Sequence, residues 1–75
     1  MIIKNWRILP FLHVDGNFVH GQVFDNPKFK DGTTIRTSEI SEIAIANHEL
    51  VVTTRNSTYV LPLEWAYKGD VPSEI

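Results

Sequence analysis

Two arginines, several hydroxyl groups and one amide are the side chains whose types and spacing favour binding of a small anion. Arg36 and Ser38 belong to one predicted strand, and Thr54, Arg55 and Asn56 lie where another predicted strand ends. Antiparallel pairing would bring the hydroxyl groups beside two guanidinium groups, which can each hold a phosphate or carboxylate through two hydrogen bonds. These five residues form the predicted site for a nucleotide-like ligand. A threonine-rich solvent face is the simpler interpretation of the same pattern.

Aromatic side chains suggest a second kind of site, an interface with another protein. The chain has two Trp, two Tyr and four Phe, and a core this small rarely hides all of them. Trp65 and Tyr67 lie close together near the C-terminus, and Phe29 stands between Lys28 and Lys30. The ring of Phe29 either packs back onto the core, which is the commoner outcome, or faces a partner. Phe29, Trp65 and Tyr67 are the predicted interface residues.

Other chemistry finds little support in the sequence. There is no cysteine, and the three histidines, His13, His20 and His48, lack the close spacing of a metal site. Residues 25–32 end in Asp-Gly but have lysines where a calcium loop needs acidic ligands. No Gly-x-Ser-x-Gly elbow and no glycine-rich phosphate loop occurs. We therefore expect no metal site, no cofactor and no enzymatic activity.

The length and net charge of the chain narrow the possible classes of protein further. The chain has 75 residues, 43% hydrophobic and 21% charged, as expected for one small globular domain. Its net charge of -2 argues against a dedicated nucleic-acid binder. Residues 1–36 carry five bases and three acids, whereas residues 37–75 carry two bases and six acids. With no apolar run near the ~20 residues of a membrane span and no visible signal peptide, we expect a cytoplasmic protein.

The elements that must position these residues are predicted to be strands. Val, Ile and Thr are abundant, and turn residues such as Asp-Gly and Asn-Pro recur at short intervals. Strands are predicted over 5–14, 18–24, 34–46, 50–55 and 58–63. The predicted fold is all-β: a single antiparallel five-stranded sheet or barrel of SH3-like size, with a short C-terminal turn or helix. Residues 1–69 would form the domain, and residues 70–75 a frayed tail.

Turn and strand-end residues add four specific expectations. Pro10 cannot donate a ladder hydrogen bond, so the first strand should lie at an edge or be broken there by a bulge. Residues 15–17 should form a tight hairpin turn, and Gly32 should adopt a positive φ. Asn56 is expected to take the left-handed conformation in the turn that joins the last two strands.

The third predicted strand changes phase along its length. Ile35 is followed by Ile40 and then by Ile43 and Ile45, so the alternation of apolar positions breaks around Ser41 and Glu42. A one-residue bulge there would turn every isoleucine of the strand inward. A short helical turn over residues 38–42 is the alternative.

One stretch of the chain resembles a group of small uncharacterised bacterial and phage-borne proteins. The resemblance covers residues 21–61 and rests on two motifs, Pro27-x-Phe29-x-Asp31-Gly32 before Thr37-Ser38, and Thr54-Arg55-Asn56-x-x-Tyr59. It implies a phage or prophage origin and, by analogy, a protein that binds a host component. The matched residues belong to turns and core, so the resemblance implies no activity.

Together these observations predict a non-enzymatic protein-interaction module that forms homo-oligomers. A small-ligand binder that uses the Arg/Thr face is the first alternative. A small barrel that binds nucleic acid weakly is the second.

Overall fold

A computed structural model describes residues 1–68 of the chain and places six strands and one short helix there. The elements are β1 (Ile2–Pro10), β2 (Asn17–Phe24), β3 (Thr33–Arg36), β4 (Ile40–Ala46), β5 (Glu49–Thr54), β6 (Thr58–Pro62) and a 3₁₀ helix (Leu63–Trp65). The all-β class and the short C-terminal turn are confirmed. The predicted tail at 70–75 lies outside the described residues.

The strands form one open sheet in the order β3-β2-β1-β6-β5-β4. Neighbouring strands are antiparallel except β1 and β6, which pair in parallel through Ile2 and Val60. The Val60 N–H donates to the Met1 carbonyl across this junction at 2.8 Å. The prediction of five strands, all antiparallel, was therefore wrong in number and in this one pairing. Two three-stranded meanders meet side by side at β1 and β6.

The sixth strand arises because the long third strand divides. Thr37 ends β3: its N–H donates to the Val19 carbonyl at 2.9 Å, and its hydroxyl accepts from the Val19 N–H at 3.0 Å. The Thr37 hydroxyl thus accepts the hydrogen bond that a main-chain carbonyl of β3 would otherwise accept from Val19. The main chain can therefore separate from β2 at this point. After residues 37–39 the chain continues as β4, at the opposite edge of the sheet. The predicted bulge is confirmed by the shift in register between Ile40 and Glu42, and no helical turn forms there.

The short link between β3 and β4 requires the sheet to coil. Four Cα–Cα steps reach at most about 14 Å, whereas the outer strands of a flat six-stranded sheet lie about 24 Å apart. β4 accordingly approaches β2. The inner face of this coiled sheet holds the core, which includes Ile3, Val19, Val52, Tyr59 and Leu61.

The first hairpin differs from the prediction. β1 ends at Pro10, which pairs with Asn17, and the residues between form a wide loop in which the Phe11 N–H donates to the Gly16 carbonyl at 3.1 Å. β1 lies in the middle of the sheet, and its bulge falls between Lys4 and Arg7 rather than at Pro10. Pro10 fits because the last residue of a strand can do without an N–H donor.

The remaining turns have the backbone conformations expected from their residue types, except at Asn56. Gly32 has the predicted positive φ of 90°. The β4–β5 hairpin turns on Asn47 and His48, both left-handed, with φ values of 51° and 65°. Asn56 has no positive φ, so its predicted conformation was wrong. There Thr54 closes the turn instead, because its N–H donates to the Ser57 carbonyl at 2.8 Å.

Candidate functional site

Three of the predicted ligand-binding residues meet in one cleft. Arg36 at the end of β3 and Ser38 in the β3–β4 link line it together with Asn56 from the β5–β6 turn. Phe29 closes another side from the β2–β3 loop. The cleft has a volume of about 290 Å³, near the lower limit for small-molecule sites. Part of the predicted anion site is therefore assembled by the fold.

The other two predicted ligand residues do not reach this cleft. Thr54 is buried, and its hydroxyl donates to the Ser57 carbonyl at 3.1 Å, so it is committed to the turn. Arg55 lines a separate depression together with Glu39 and Ser41. The two guanidinium groups are therefore not brought together as predicted, because the chain turns between β3 and β4.

The three predicted interface residues lie in different places. Phe29 is 43% exposed, so the expectation that its ring packs onto the core was wrong. Trp65 and Tyr67 instead lie beside β1, each against a cation. The Lys4 Nζ is 4.5 Å from the ring centroid of Trp65, and the Arg7 guanidinium is 4.6 Å from that of Tyr67. The backbone fixes this arrangement, since the Tyr67 N–H donates to the Trp6 carbonyl at 2.9 Å.

A bulge in β1 places Lys4 and Arg7 on the same face of the sheet. Residues three apart on a regular strand point to opposite faces. Here Asn5 has a φ of 57°, and the pairing shifts from Lys4–Gln22 to Arg7–His20. Since Gln22 and His20 are two apart on β2, their partners share one face. The extra residue thus aligns two cations that a regular strand would separate.

A row of three basic side chains crosses the first meander. Arg7 pairs with His20, and His20 pairs with Arg36 on β3. Directly paired residues project from the same face of a sheet, and β1 and β3, the strands on either side of β2, lie about 10 Å apart. Val19 and Val23 on β2 project from the other face of the sheet, where they are buried. We call the surface made by Lys4, Arg7, His20, Arg36, Phe24, Trp65 and Tyr67 the basic face.

The edge strand β4 leaves apolar side chains uncovered. Every residue from Ser41 to Ala46 is exposed, with Ile43 at 45% and Ile45 at 75%. The bulge does direct these two isoleucines to the core side of the sheet, as predicted, since Ile43 pairs with the buried Val52 and Ile45 pairs with Leu50. They nevertheless remain exposed. The β4–β5 hairpin extends past the core, so neither side of β4 near the turn is covered.

The β1–β2 loop carries a second exposed apolar group. Leu12 is 90% exposed and Val14 67%. Phe11, next to Leu12, packs its ring against that of Phe18 in a tilted arrangement, with ring centroids 5.0 Å apart. The sequence prediction placed these residues in a strand, so their exposure was not foreseen.

Sequence reasoning missed both the basic face and the β4 edge. For the basic face one weak signal existed, since Asn is among the few residues that readily adopt positive φ. For the β4 edge the sequence offered none, because an alternating isoleucine pattern is typical of a half-buried strand. Within residues 1–68 no cluster of three His, Asp or Glu side chains forms, and no helix is long and apolar enough to cross a membrane.

Comparisons with protein-family models, with curated proteins and with solved structures found no match to this chain. Function is therefore inferred from the chain's own geometry.

Proposed function

We propose that this protein is a non-enzymatic interaction module that assembles with a second copy of itself through the free edge of β4. The observation that carries the proposal is the exposure of this edge: a seven-residue outer strand with Ile43 and Ile45 uncovered. An outer strand presents unpaired N–H and C=O groups that can pair with another strand.

The half of β4 nearest its turn lacks the features that usually protect such an edge. Natural edge strands carry lysine, proline or bulges, or they are very short. From Ile43 to Ala46 the strand has no charge and no proline, and its bulge lies further back at Ser41 and Glu42. The open edge is therefore suited to pairing rather than blocked against it.

The hairpin geometry directs specific backbone groups outward. In a hairpin with a two-residue turn, the residues that flank the turn form a hydrogen-bonded pair. Ala46 and Glu49 flank the Asn47–His48 turn, so every second residue from Ala46 bonds to β5. The peptide groups of Ile43 and Ile45 then face the free edge, where they can bond to another strand.

The sequence of β4 suits an antiparallel pairing with itself. A two-fold axis at Ala44 would place Ile43 opposite Ile45 of the second copy and Glu42 opposite Ala46. Four isoleucines would then form one apolar stripe. The two glutamates would stand apart, which avoids the destabilisation of like charges directly opposite. Assembly would also help a chain whose own core is small.

The test replaces Ile45 with lysine and measures mass in solution by sedimentation and native mass spectrometry. The unchanged protein should form a dimer of the 8.6-kDa chain, and Ile45→Lys should be monomeric at the same concentration. Leu12→Lys is the matched control, because it places the same charge at an exposed apolar position away from β4. A monomeric parent protein at high micromolar concentration, or a dimer that only Leu12→Lys disrupts, would refute the proposal.

A small-ligand function is the second candidate, favoured by the cleft that brings Arg36, Ser38 and Asn56 together. A thermal-shift panel of nucleotides tests it, because a ligand at 100 times its Kd should stabilise the fold by about 2.7 kcal/mol. The shift should disappear in Asn56→Ala, which keeps the charge of the protein. No stabilisation by any nucleotide would exclude this candidate.

A further inference from the structure

We infer that the basic face binds a single strand of nucleic acid, through phosphate contacts to its cations and base contacts to its rings. This inference is independent of the β4 edge.

Charge is divided between the two halves of the sheet. The strands β1, β2 and β3 contain Lys4, Arg7 and Arg36 but no carboxylate. The strands β4, β5 and β6 contain Glu42 and Glu49 but no lysine or arginine. The net charge of -2 conceals this separation. Because charges beyond about 10 Å are largely screened at physiological salt, a bound phosphate responds to the local cations rather than to the total.

The cations are positioned by the backbone. The bulge at Asn5 brings Lys4 onto the face that holds Arg7, and strand pairing adds Arg36 on the far side of His20. Bulges often re-aim a side chain for a functional purpose. The result is three permanent positive charges on one surface. This surface is about three strands wide, a width that suits a single polynucleotide backbone.

Aromatic rings accompany each cation. Lys4 lies between Phe24 and Trp65, with Nζ 4.9 Å and 4.5 Å from the two ring centroids. Arg7 stacks on Tyr67, and Arg36 lies 5.2 Å from the ring centroid of Phe18. These contacts hold the cations in place before a ligand arrives. Trp65 remains 46% exposed, so it has ring surface available for a base.

A single strand fits this surface better than a duplex does. Rings interleaved with cations stack on unpaired bases, whose faces are free, whereas duplex bases stack on each other. The amides of Asn5 and Gln22, which hydrogen-bond to each other at 3.4 Å, lie beside the cations and add polar contacts. Binding of this kind tolerates many sequences and weakens steeply with salt.

The experiment measures binding of a fluorescent 20-nucleotide oligo-dT by anisotropy, from 20 to 200 mM salt. Three phosphate contacts predict a slope of about -2 for log K against log salt on a single strand. Arg7→Gln should weaken binding about 5- to 10-fold at 50 mM salt and reduce the slope by about 0.7. Arg7→Lys retains the charge and should retain the slope. Arg55→Gln is the matched control, because it removes the same charge in the β5–β6 turn and should change neither value.

Two outcomes would overturn the inference. One is no binding of oligo-dT at 20 mM salt by a folded protein. The other is equal binding of poly-glutamate with the same sensitivity to Arg7→Gln, which would assign the face to an acidic protein partner. Quenching of tryptophan fluorescence by oligo-dT but not by poly-glutamate would support base stacking, and its loss in Trp65→Phe would place the stack at Trp65.

Discussion

Gly21 lies so close to Ile3 that a Cβ added to the glycine would come within 2.5 Å of the Ile3 Cγ2 atom. The same Cβ would also meet backbone on β1, at 3.0 Å from the Lys4 carbonyl oxygen and 3.1 Å from the Trp6 Cα. Gly21 stands opposite the β1 bulge, between the residues that pair with Lys4 and Arg7. A residue without a side chain therefore allows the bulge, and the bulge aligns the two cations of the basic face.

Gly21→Ala should destabilise the fold by about 1–3 kcal/mol, because the added methyl group overpacks a site bounded partly by backbone. Urea unfolding measures the loss. In an Ile3→Ala background the cost should be smaller, since one of the three close contacts is gone. Gly21→Ala with unchanged stability would contradict the close packing of β2 on the bulge.

Thr37→Val should cost about 1–3 kcal/mol, because the buried Val19 N–H would lose its acceptor. The isosteric change removes the hydroxyl while it keeps the volume of the side chain. Thr34→Val is the control: Thr34 is exposed on β3, so its substitution should change the free energy of unfolding by less than about 0.5 kcal/mol. Equal effects in the two variants would show that the Thr37 hydroxyl does not end β3.

His48→Gly should stabilise the protein by about 0.5–1 kcal/mol. His48 is left-handed at φ 65°, a conformation that costs a residue with a Cβ about 1–2 kcal/mol and that glycine adopts freely. The resulting Asn-Gly turn is the preferred pair for a two-residue hairpin. Thermal unfolding measures the gain, and Asn56→Gly serves as control, because Asn56 has no positive φ and should gain nothing. A lower melting temperature for His48→Gly would refute the assigned turn.

Much of the fold could be predicted from local signals. β-branched residues indicated strands, Asp-Gly and Asn-Pro pairs indicated turns, and the phase shift at Ser41 and Glu42 indicated a bulge that the structure confirms. Each signal depends on the conformational preference of one or two residues. Such preferences act over short distances, and most of them agree with the fold that the whole chain adopts.

The candidate surfaces were predicted less well, for different reasons. Arg36, Ser38 and Asn56 converge because the β3–β4 link and the β5–β6 turn line the same cleft. Arg55 and Thr54 were assigned to the same site on the assumption of one continuous third strand, which the Thr37 hydroxyl interrupts. The sequence pattern predicted Ile43 and Ile45 as core residues, but their strand extends past the core and leaves them exposed. Which side of a strand is covered depends on elements far away in sequence.

The sequence by itself determined the all-β class, the positions of most turns and the absence of thiol chemistry, because these follow from residue types and from spacings of a few residues. Only the tertiary structure decided that β1 and β6 pair in parallel, that the sheet coils through the short β3–β4 link, and that Lys4 and Arg7 share a face. Each of those features depends on a contact between distant segments, or on a single extra residue that reverses the direction of every side chain after it.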